Sequence, residues 1–352
     1  MADKIELLSL TPDELAAWVK QQGQGAFRAK QIYEWLMRGA DFDEMTNLSL
    51  KLRQELAEKA IAVPVRIREV FTSQLDGTEK FLYELMDGNI IEGVLMRYKH
   101  GATLCLSTQI GCRMGCAFCA STLEGCVRNL TPGEMLGQVL AANRHMAQND
   151  PEERVHNIVL MGSGEPLDNY DNTVKFLRLV NEERGLHISL RNISLSTCGL
   201  VPKIDMLAEE HLPVTLSISL HAPNDTVRKK LMPVANAYSM EELLKAVRRY
   251  IDKTGRRVVF EYALVKGVNC ALEQADELAS KLRGMQCHVN LIPLNDVEER
   301  DLRGPSKREV EAFMQRLEQR HISVTRRREM GDDIQGACGQ LRRSVLEKET
   351  EE

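Results

Sequence analysis

The first 60 residues carry apolar side chains at the three- and four-residue spacing of amphipathic helices. Thr11, followed by Pro12 and two acidic residues, is typical of a helix start, because its hydroxyl can cap the first turn and acids suit the positive end of the helix. A second helix is predicted over residues 27–37, with Trp35 on its apolar face. Residues 1–60 are therefore predicted to form a small helical N-terminal domain.

The pattern changes near Ile67, where apolar and polar residues begin to alternate as they do in β-strands. Asp-Gly pairs at 76–77 and 87–88 lie between such segments and are good turn signals. Residues 61–98 are therefore predicted to form a β-rich extension. The predicted strands of the extension cover residues 67–70, 80–85 and 90–96, and a further strand is predicted just after it, over residues 103–107.

After Cys119, strand-like and helix-like segments alternate over more than half of the chain. This alternation predicts an α/β fold with a parallel sheet and crossover helices, either an open doubly wound sheet or a barrel. In both, functional residues lie at the carboxyl ends of the strands, where polar residues follow the predicted strands at 162–166, 196–197, 219–221 and Asn295. The predicted strands are 157–161, 193–197, 214–220, 258–264, 289–293 and 322–326, and the predicted helices are 132–146, 170–183, 240–253, 272–282 and 307–319.

Composition and charge narrow the class of protein. The 352 residues include 46 Lys and Arg against 51 Asp and Glu, a net charge of −5, and no apolar run approaches the roughly 20 residues of a membrane span. The N-terminus lacks the apolar stretch of a signal peptide, so a cytoplasmic protein is expected. Residues 300–343 hold 11 basic and 7 acidic residues, a local net charge of +4, and the polar residues 344–352 are expected to form a flexible tail.

The cysteines are unusual in number and in distribution. There are nine, and an odd number argues against a complete disulfide framework. A cytosolic protein keeps its thiols reduced. Five of the nine lie within residues 105–126, and such clustered thiols indicate metal or redox chemistry.

Cys112, Cys116 and Cys119 form a CxxxCxxC motif. Three thiolates on a tight loop can hold three irons of a 4Fe–4S cluster and leave the fourth iron open to a small molecule. The spacing alone leaves a zinc knuckle or plain buried thiols as alternatives. Cys105 or Cys126 could also supply a fourth ligand.

The same motif is that of the radical S-adenosylmethionine (SAM) enzymes, and the resemblance extends over most of the chain. Eight stretches over about residues 90–343 resemble, in order, the RlmN/Cfr family of radical SAM RNA methyltransferases, and FRAKQIYEWL resembles the N-terminal, RNA-binding type of domain of that family. The resemblance implies a partial (β/α)6 TIM-like barrel over 99–343 that ends in a catalytic cysteine loop. The eight stretches are LCLSTQIGCRMGCAFCAS, RNLTPGE, MGSGEPLDNYDN, LSTCGLVP, SISLHAPND, LMPVAN, VNLIPLN and GDDIQGACGQLR.

The resemblance also implies an activity, methylation of adenine C2 in 23S ribosomal RNA and tRNA, and a mechanism. The three motif cysteines hold one 4Fe–4S cluster, and one SAM methylates the sulfur of Cys338. A second SAM, bound to the cluster, is cleaved to a 5′-deoxyadenosyl radical, which takes hydrogen from the S-methyl group so that its carbon can add to the base. Cys105 then attacks the Cys338 sulfur and releases the methylated base, so that each turnover uses two SAM molecules and covalent catalysis divides one difficult step into several.

Other positions match residues that contact SAM in this family. A carboxylate such as Glu165 is well suited to the ammonium group of SAM. From the residues alone, Ser196 and Asn295 are typical strand-end caps, and His221 is typical of a structural histidine. The implied SAM-binding residues are Gly164, Glu165, Ser196, Ser219, Leu220, His221 and Asn295.

Glu92 aligns with the proposed proton acceptor of the family. When carbon adds to C2, a base must remove the hydrogen that remains there. By sequence pattern alone Glu92 would be an exposed strand residue, Cys105 a core residue and Cys338 an incidental thiol.

The implied partners are 23S ribosomal RNA, tRNA and a reductant such as flavodoxin, and a monomer is expected because no long apolar surface helix is evident. Three alternatives stay open: a Cfr-type C8 methyltransferase with the same thiols, an iron–sulfur or zinc protein that binds RNA without modifying it, and a radical SAM enzyme for another substrate. Basic clusters are candidates for phosphate contacts. These clusters are 228–230, 248–249, 256–257, 326–328 and 342–343.

Overall fold

The computed structural model of the protein describes residues 4–295, 297 and 299–341. The basic pair 342–343 and the expected tail 344–352 lie outside the described residues. Within the described part, no helix combines the length and the apolar character that crossing a bilayer requires.

The N-terminal part is helical, as predicted. Thr11 Oγ1 accepts the Glu14 N–H at 3.2 Å and the Thr11 N–H donates to the Glu14 carboxylate at 2.8 Å, which is a complete capping box at the predicted helix start. The third helix is absent from the sequence prediction because only Leu52 and Leu56 are buried along it, so its apolar pattern is weak. The elements are β1 (Ile5–Glu6), α1 (Pro12–Gln21), α2 (Ala26–Leu36), α3 (Leu50–Lys59) and β2 (Ala60–Ile61), which pairs in parallel with β1.

One ten-stranded sheet forms the centre of the molecule. Its first four strands in chain order are antiparallel neighbours. These strands are β3 (Val65–Thr72), β4 (Glu79–Leu85), β5 (Ile90–Tyr98) and β6 (Gly101–Cys105).

A separate two-stranded ribbon follows and brackets the cysteine motif. Its strands, β7 (Gln109–Gly111) and β8 (Cys126–Asn129), are antiparallel. They have three and four residues, too few for a periodic pattern, and the sequence prediction omits them.

From β6 onwards the ten-stranded sheet is parallel, and helices connect its strands. The predicted α/β fold with a parallel sheet and crossover helices is confirmed. Two short helices of nine and seven residues are missing from the sequence prediction, because a single apolar face is hard to detect over so few turns. The remaining elements are α4 (Pro132–Met146), β9 (Val155–Leu160), α5 (Tyr170–Asn181), β10 (Ile193–Thr197), α6 (Val201–Glu209), β11 (Thr215–Ser219), α7 (Asp225–Leu231), α8 (Met240–Thr254), β12 (Val258–Leu264), α9 (Leu272–Leu282), β13 (Cys287–Pro293), α10 (Lys307–Gln319) and β14 (Val324–Arg326).

A buried glutamine fixes the end of β6. The Ser107 N–H donates to Gln138 Oε1 at 3.0 Å, and Gln138 Nε2 donates to the Ser107 carbonyl at 3.0 Å. The Ser107 hydroxyl in turn donates to the Glu92 carbonyl at 2.7 Å and accepts the Ser163 N–H at 2.9 Å. This network therefore aligns β5, β6 and the loop after β9 at one edge of the sheet.

We expect Gln138→Leu to lower the free energy of unfolding by about 2–4 kcal/mol, since it leaves a buried N–H and a buried carbonyl without partners. Chemical denaturation measures this change. Gln148→Leu, at an exposed position just after the same helix, is the matched control and should change stability by less than about 0.5 kcal/mol. Equal effects of the two substitutions would contradict the assigned role of Gln138.

Candidate active site

The three motif cysteines lie on the loop between β7 and β8. The Cys112 N–H donates to the Gly125 carbonyl at 2.8 Å, which closes the base of the loop. Gly111 has φ +74°, and a side chain there would collide with that same carbonyl. The Thr122 hydroxyl bonds the Cys119 carbonyl at 2.9 Å on the far side of the loop. A backbone hydrogen bond thus closes the base of the loop, and the Thr122 hydroxyl holds its other side.

Cys112, Cys116 and Cys119 all line one cavity. The cavity is partly open, and its space outside the protein atoms, including the part open to solvent, is about 920 Å³. Its other walls come from the carboxyl ends of the parallel strands, the edge at which functional residues were expected. Within residues 4–295, 297 and 299–341, no three His, Cys, Asp or Glu side chains converge closely enough for a single metal ion. Three thiols that line one cavity could hold three irons of a 4Fe–4S cluster.

Gly164 and Glu165 also line this cavity. Gly164 has φ +108°, and a side chain there would come within 2.7 Å of the Gln109 backbone nitrogen, so only glycine fits. The Glu165 carboxylate is buried and accepts the N–H groups of Cys198 at 2.7 Å and Leu167 at 3.0 Å. Burial nevertheless raises its pKa, because desolvation opposes the charge more than these bonds favour it. A cationic ligand group in the cavity would stabilise this carboxylate.

Three further predicted residues come together at the strand ends. Ser196 is the second-last residue of β10, Ser219 ends β11 and Asn295 follows β13, and all three line the cavity. Leu220 differs: its side chain is fully buried in the core and does not line the cavity. Only its backbone is at the strand end, where the Leu220 N–H donates to the Glu261 carbonyl at 3.0 Å.

His221 lines the cavity as a neutral imidazole. Burial lowers its pKa to about 3, and its Nδ1 accepts the Ala263 N–H at 2.9 Å. The ring of Phe118, from the cysteine loop, meets the imidazole edge to face at 4.9 Å. His221 has φ +55°, an uncommon conformation for a residue with a side chain. His221 therefore binds the backbone of β12 and also forms part of the cavity wall.

Cys338 lies on the wall between two cavities. It lines the large cavity and also a smaller pocket that contains Cys105. The Asn295 side chain donates to the Cys338 carbonyl at 3.4 Å. The Ala120 N–H donates to the Gly339 carbonyl at 2.7 Å, which attaches this segment to the cysteine loop. The structure thus brings Cys338, Cys105 and the motif cysteines into one region.

Cys105 is a buried free thiol at the end of β6. Burial and then the neighbouring Cys338 thiol raise its pKa to about 12. All nine cysteines, each in the described part of the chain, are free thiols. Arg327 lines both cavities, and its positive charge lowers the pKa of Cys105 by less than burial and Cys338 raise it.

Glu92 is buried, unlike the exposed residue that its sequence pattern indicates. It does not line the large cavity, and its carboxylate pairs with Lys80 at 3.5 Å. Side chains two residues apart on a strand share a face, so Glu92 is on the face of Val94, which lines the Cys105 pocket. Glu92 is thus next to the pocket rather than at its wall.

The topology sorts the basic clusters. Arg228 is wholly buried, so its side chain is not exposed for the phosphate contact that the sequence suggests for the cluster 228–230. Residues 256–257 precede β12 and lie at the sheet edge away from the cavity, and Arg249 pairs with Asp205 at 2.7 Å. The run 326–328 and the exposed lysines of α7 remain on the cavity side.

Several residues of the site were missed by sequence reasoning. Arg327 was counted among surface cations, and Glu261 was not considered at all. Glu261, in β12, lines the cavity and accepts the Asn290 amide at 2.9 Å. Its position inside a predicted strand that otherwise reads as apolar was the available signal.

The fold and site define an enzyme of the radical SAM class, and comparisons with known proteins agree. The profile of the Radical SAM superfamily matches residues 106–282, and that of the ribosomal RNA large subunit methyltransferase N-terminal domain matches residues 5–62. A crystal structure of a radical SAM methyltransferase from Sphaerobacter thermophilus superposes with a TM-score of 0.93 and 44% identity, covering 96% of this chain and 99% of that one.

Curated relatives specify the family. A probable dual-specificity RNA methyltransferase RlmN of Alkaliphilus oremlandii is 54% identical over 98% of this chain and 99% of its own length. The protein of the same name from Clostridium novyi is 52% identical over 97% of this chain and 98% of its own. The chain therefore belongs to the RlmN family of radical SAM RNA methyltransferases.

The neutral state of His221 predicts a pH dependence. Its pKa is about 3 in the folded protein against about 6.5 when unfolded, so below pH 6.5 the unfolded state binds a proton that the folded state does not. The free energy of unfolding should therefore decrease as the pH is lowered, by about 2 kcal/mol between pH 7 and pH 5 from this group alone. In His221→Asn, whose side chain tolerates the left-handed backbone and can accept the same N–H, this contribution should vanish.

Urea denaturation of both proteins at pH 7 and pH 5 checks this expectation. An equal loss of stability in the wild type and in His221→Asn would show that His221 is protonated in the folded state.

Proposed function

We propose that this chain methylates C2 of an adenine in 23S ribosomal RNA, at the peptidyl transferase centre, and of an adenine in tRNA next to the anticodon, through a methylated Cys338. The observation that carries the proposal is the position of Cys338 between the large cavity and the Cys105 pocket. One sulfur at that wall can meet a methyl donor on one side and a second thiol on the other. A radical SAM enzyme for another substrate would need neither thiol, whereas the Cfr-type alternative would need both.

Cys112, Cys116 and Cys119 would hold the 4Fe–4S cluster by three irons, and Gly164, Glu165, Ser196, the segment 219–221 and Asn295 would hold SAM beside it. The fit is supported by the donor set: three thiols and a buried carboxylate line the same cavity, and that carboxylate forms no ion pair with any of the described residues. When bound, the cluster and SAM supply a methyl group, an electron and a carbon radical. The protein positions these groups and excludes water.

Cys338 would carry the methyl group. Its sulfur would attack the methyl carbon of SAM, so that one C–S bond forms, the methyl–sulfonium bond breaks with S-adenosylhomocysteine as the leaving group, and the thiol proton passes to solvent. Arg327, which lines the same cavity, would supply positive charge beside this reaction. Gly339, at φ +86°, and Gly336 next to Ala337 give the segment the freedom to move its sulfur from SAM to the base.

Cys105 would release the product. Its thiolate attacks the Cys338 sulfur, a disulfide forms, and the carbon that leaves sulfur takes the electron pair and a proton to become the methyl group of the base. The raised pKa of Cys105 keeps it protonated and unreactive until a base and Arg327 assist it. A thiol reductant must then restore both cysteines.

Glu92 would accept the proton that leaves C2. Its burial and its place on the face of β5 next to the Cys105 pocket support this role, because a proton acceptor must reach the base there. Lys80 stabilises the carboxylate as an ion pair at 3.5 Å.

The partners that we propose follow from the same chemistry. The exposed lysines of α7 and the run 326–328 would contact RNA phosphates around the cavity, and the adenine must leave its stack to reach Cys338. Electrons would come from a small reductant such as flavodoxin. We expect a monomer that works in the cytoplasm, where ribosomes and tRNA are found.

Anaerobic reconstitution with SAM, a reductant and unmodified ribosomal RNA should yield 2-methyladenosine and 5′-deoxyadenosine, and Cys116→Ala should yield neither. Cys338→Ala should keep the cluster and lose all RNA methylation, whereas Cys287→Ala, at the start of β13, should retain activity. Mass spectrometry of digested RNA measures the products. Finding 8-methyladenosine would favour the Cfr-type alternative, and activity in Cys338→Ala would refute the proposal.

Glu92→Gln should lower RNA methylation by about 10²–10⁴-fold, the usual contribution of a general base, while methylation of Cys338 proceeds. Mass spectrometry of the protein and of the RNA separates the two steps. Glu84→Gln, on the neighbouring strand and exposed, is the matched control. Loss of both methylations in Glu92→Gln would indicate a structural role instead.

A further inference from the structure

Arg228, on α7, is a completely buried arginine behind the cysteine loop. Its Nε donates to the Leu220 carbonyl at 3.2 Å, and its Nη2 donates to the carbonyls of Cys198 at 2.6 Å and Ser219 at 3.3 Å. These carbonyls lie at and just beyond the carboxyl ends of β10 and β11. The side chain thus joins two strand ends of the candidate site.

The third nitrogen of the guanidinium donates no hydrogen bond to the described residues. Arg228 Nη1 is buried and has no hydrogen-bond partner among the described residues. All three acceptors are carbonyl oxygens, which carry no formal charge. The Asp225 carboxylate on the same helix accepts the Met240 N–H at 2.8 Å. A buried guanidinium without a close counter-charge is costly, and so is an unpaired buried donor.

The cysteine loop packs directly against this helix. The Ala117 N–H donates to the Leu231 carbonyl at 2.9 Å, and Cys116 contacts the apolar group that includes Leu231. The guanidinium charge of Arg228 acts on the sulfurs of Cys198 and Cys116, of which Cys116 belongs to the cysteine loop. Arg228 does not line the large cavity, so it approaches Cys116 from behind and not through the space available to SAM.

We propose that Arg228 Nη1 donates a hydrogen bond to the sulfur of Cys116 when that cysteine ligates the cluster, and that Arg228 thereby raises the reduction potential of the cluster. This inference rests on the proposed function, in which Cys116 is an iron ligand. Thiolate ligands and the cluster bring negative charge next to the buried cation. Hydrogen bonds and positive charge at cluster sulfurs stabilise the reduced state, which carries one more electron. Arg228 is a positioning residue that makes the electron needed for SAM cleavage easier to load.

The test is an EPR-monitored redox titration of the reconstituted protein without SAM. In Arg228→Met we expect at least a tenfold lower ratio of reduced to oxidised cluster at a fixed potential, equivalent to about 59 mV for one electron. Lys229→Met removes the adjacent, exposed cation of the same helix and should leave the ratio unchanged. Arg228→Lys keeps the charge and should show a smaller shift than Arg228→Met.

A second measurement uses the wild type alone and does not depend on the folding of a variant. Pulsed EPR of the reduced cluster should detect a nitrogen coupling that changes when the protein contains ¹⁵N-labelled arginine. Absence of an arginine coupling, or equal potentials in wild type and Arg228→Met, would overturn the inference. Equal shifts in Arg228→Met and Arg228→Lys would also overturn it, since a purely structural effect ignores the retained charge.

These outcomes separate the two proposals. A wild-type protein that forms no 4Fe–4S cluster would overturn the proposed function and this inference together. A wild-type protein with the cluster and a methylated Cys338, but with a potential that Arg228→Met does not alter, would overturn this inference only.

Discussion

The loop of 14 residues between β7 and β8 has to present three thiols to a single cavity, and the other parts of the site are attached to this loop. The loop can do so because its base is closed, by the bond from the Cys112 N–H to the Gly125 carbonyl and by the absence of a side chain at Gly111. Gln109, in the same ribbon, extends the closure to the neighbouring wall. Its amide nitrogen donates to Asp168 at 2.7 Å, and its oxygen accepts the Glu165 N–H at 2.9 Å. The thiols and the Glu165 carboxylate therefore keep a fixed relation.

The C-terminal segment depends on that loop in turn. The Ala120 N–H donates to the Gly339 carbonyl and the Ser121 hydroxyl donates to the Leu341 carbonyl at 2.8 Å, so the segment around Cys338 is hydrogen-bonded to the loop. Leu341, at the end of the segment, also packs against Val94 and Cys105 of the sheet. The loop and the sheet thus place Cys338 together.

Buried charge is the other recurring feature of the site. Glu165 is a buried carboxylate, Arg228 is a buried cation, and Arg327 lines both cavities beside the two thiols. Such groups reduce the stability of the empty protein, because charges without close counter-charges are costly in its interior. They are favourable once charged partners bind. Part of the binding energy for a charged cofactor is therefore stored in the fold.

Local patterns were sufficient to predict the α/β class, the helix start at Thr11 and the three-cysteine motif, because periodicity, capping and spacing depend on residues that are close in the chain. Family resemblance added the identities of Cys105 and Cys338. The surroundings of two cations became clear only in the folded chain: Arg228 and Arg327 read as surface charge, yet crossover connections bury Arg228 behind the cysteine loop and place Arg327 between the two cavities. Burial results from contacts between residues that are far apart in the chain, and no local pattern encodes it.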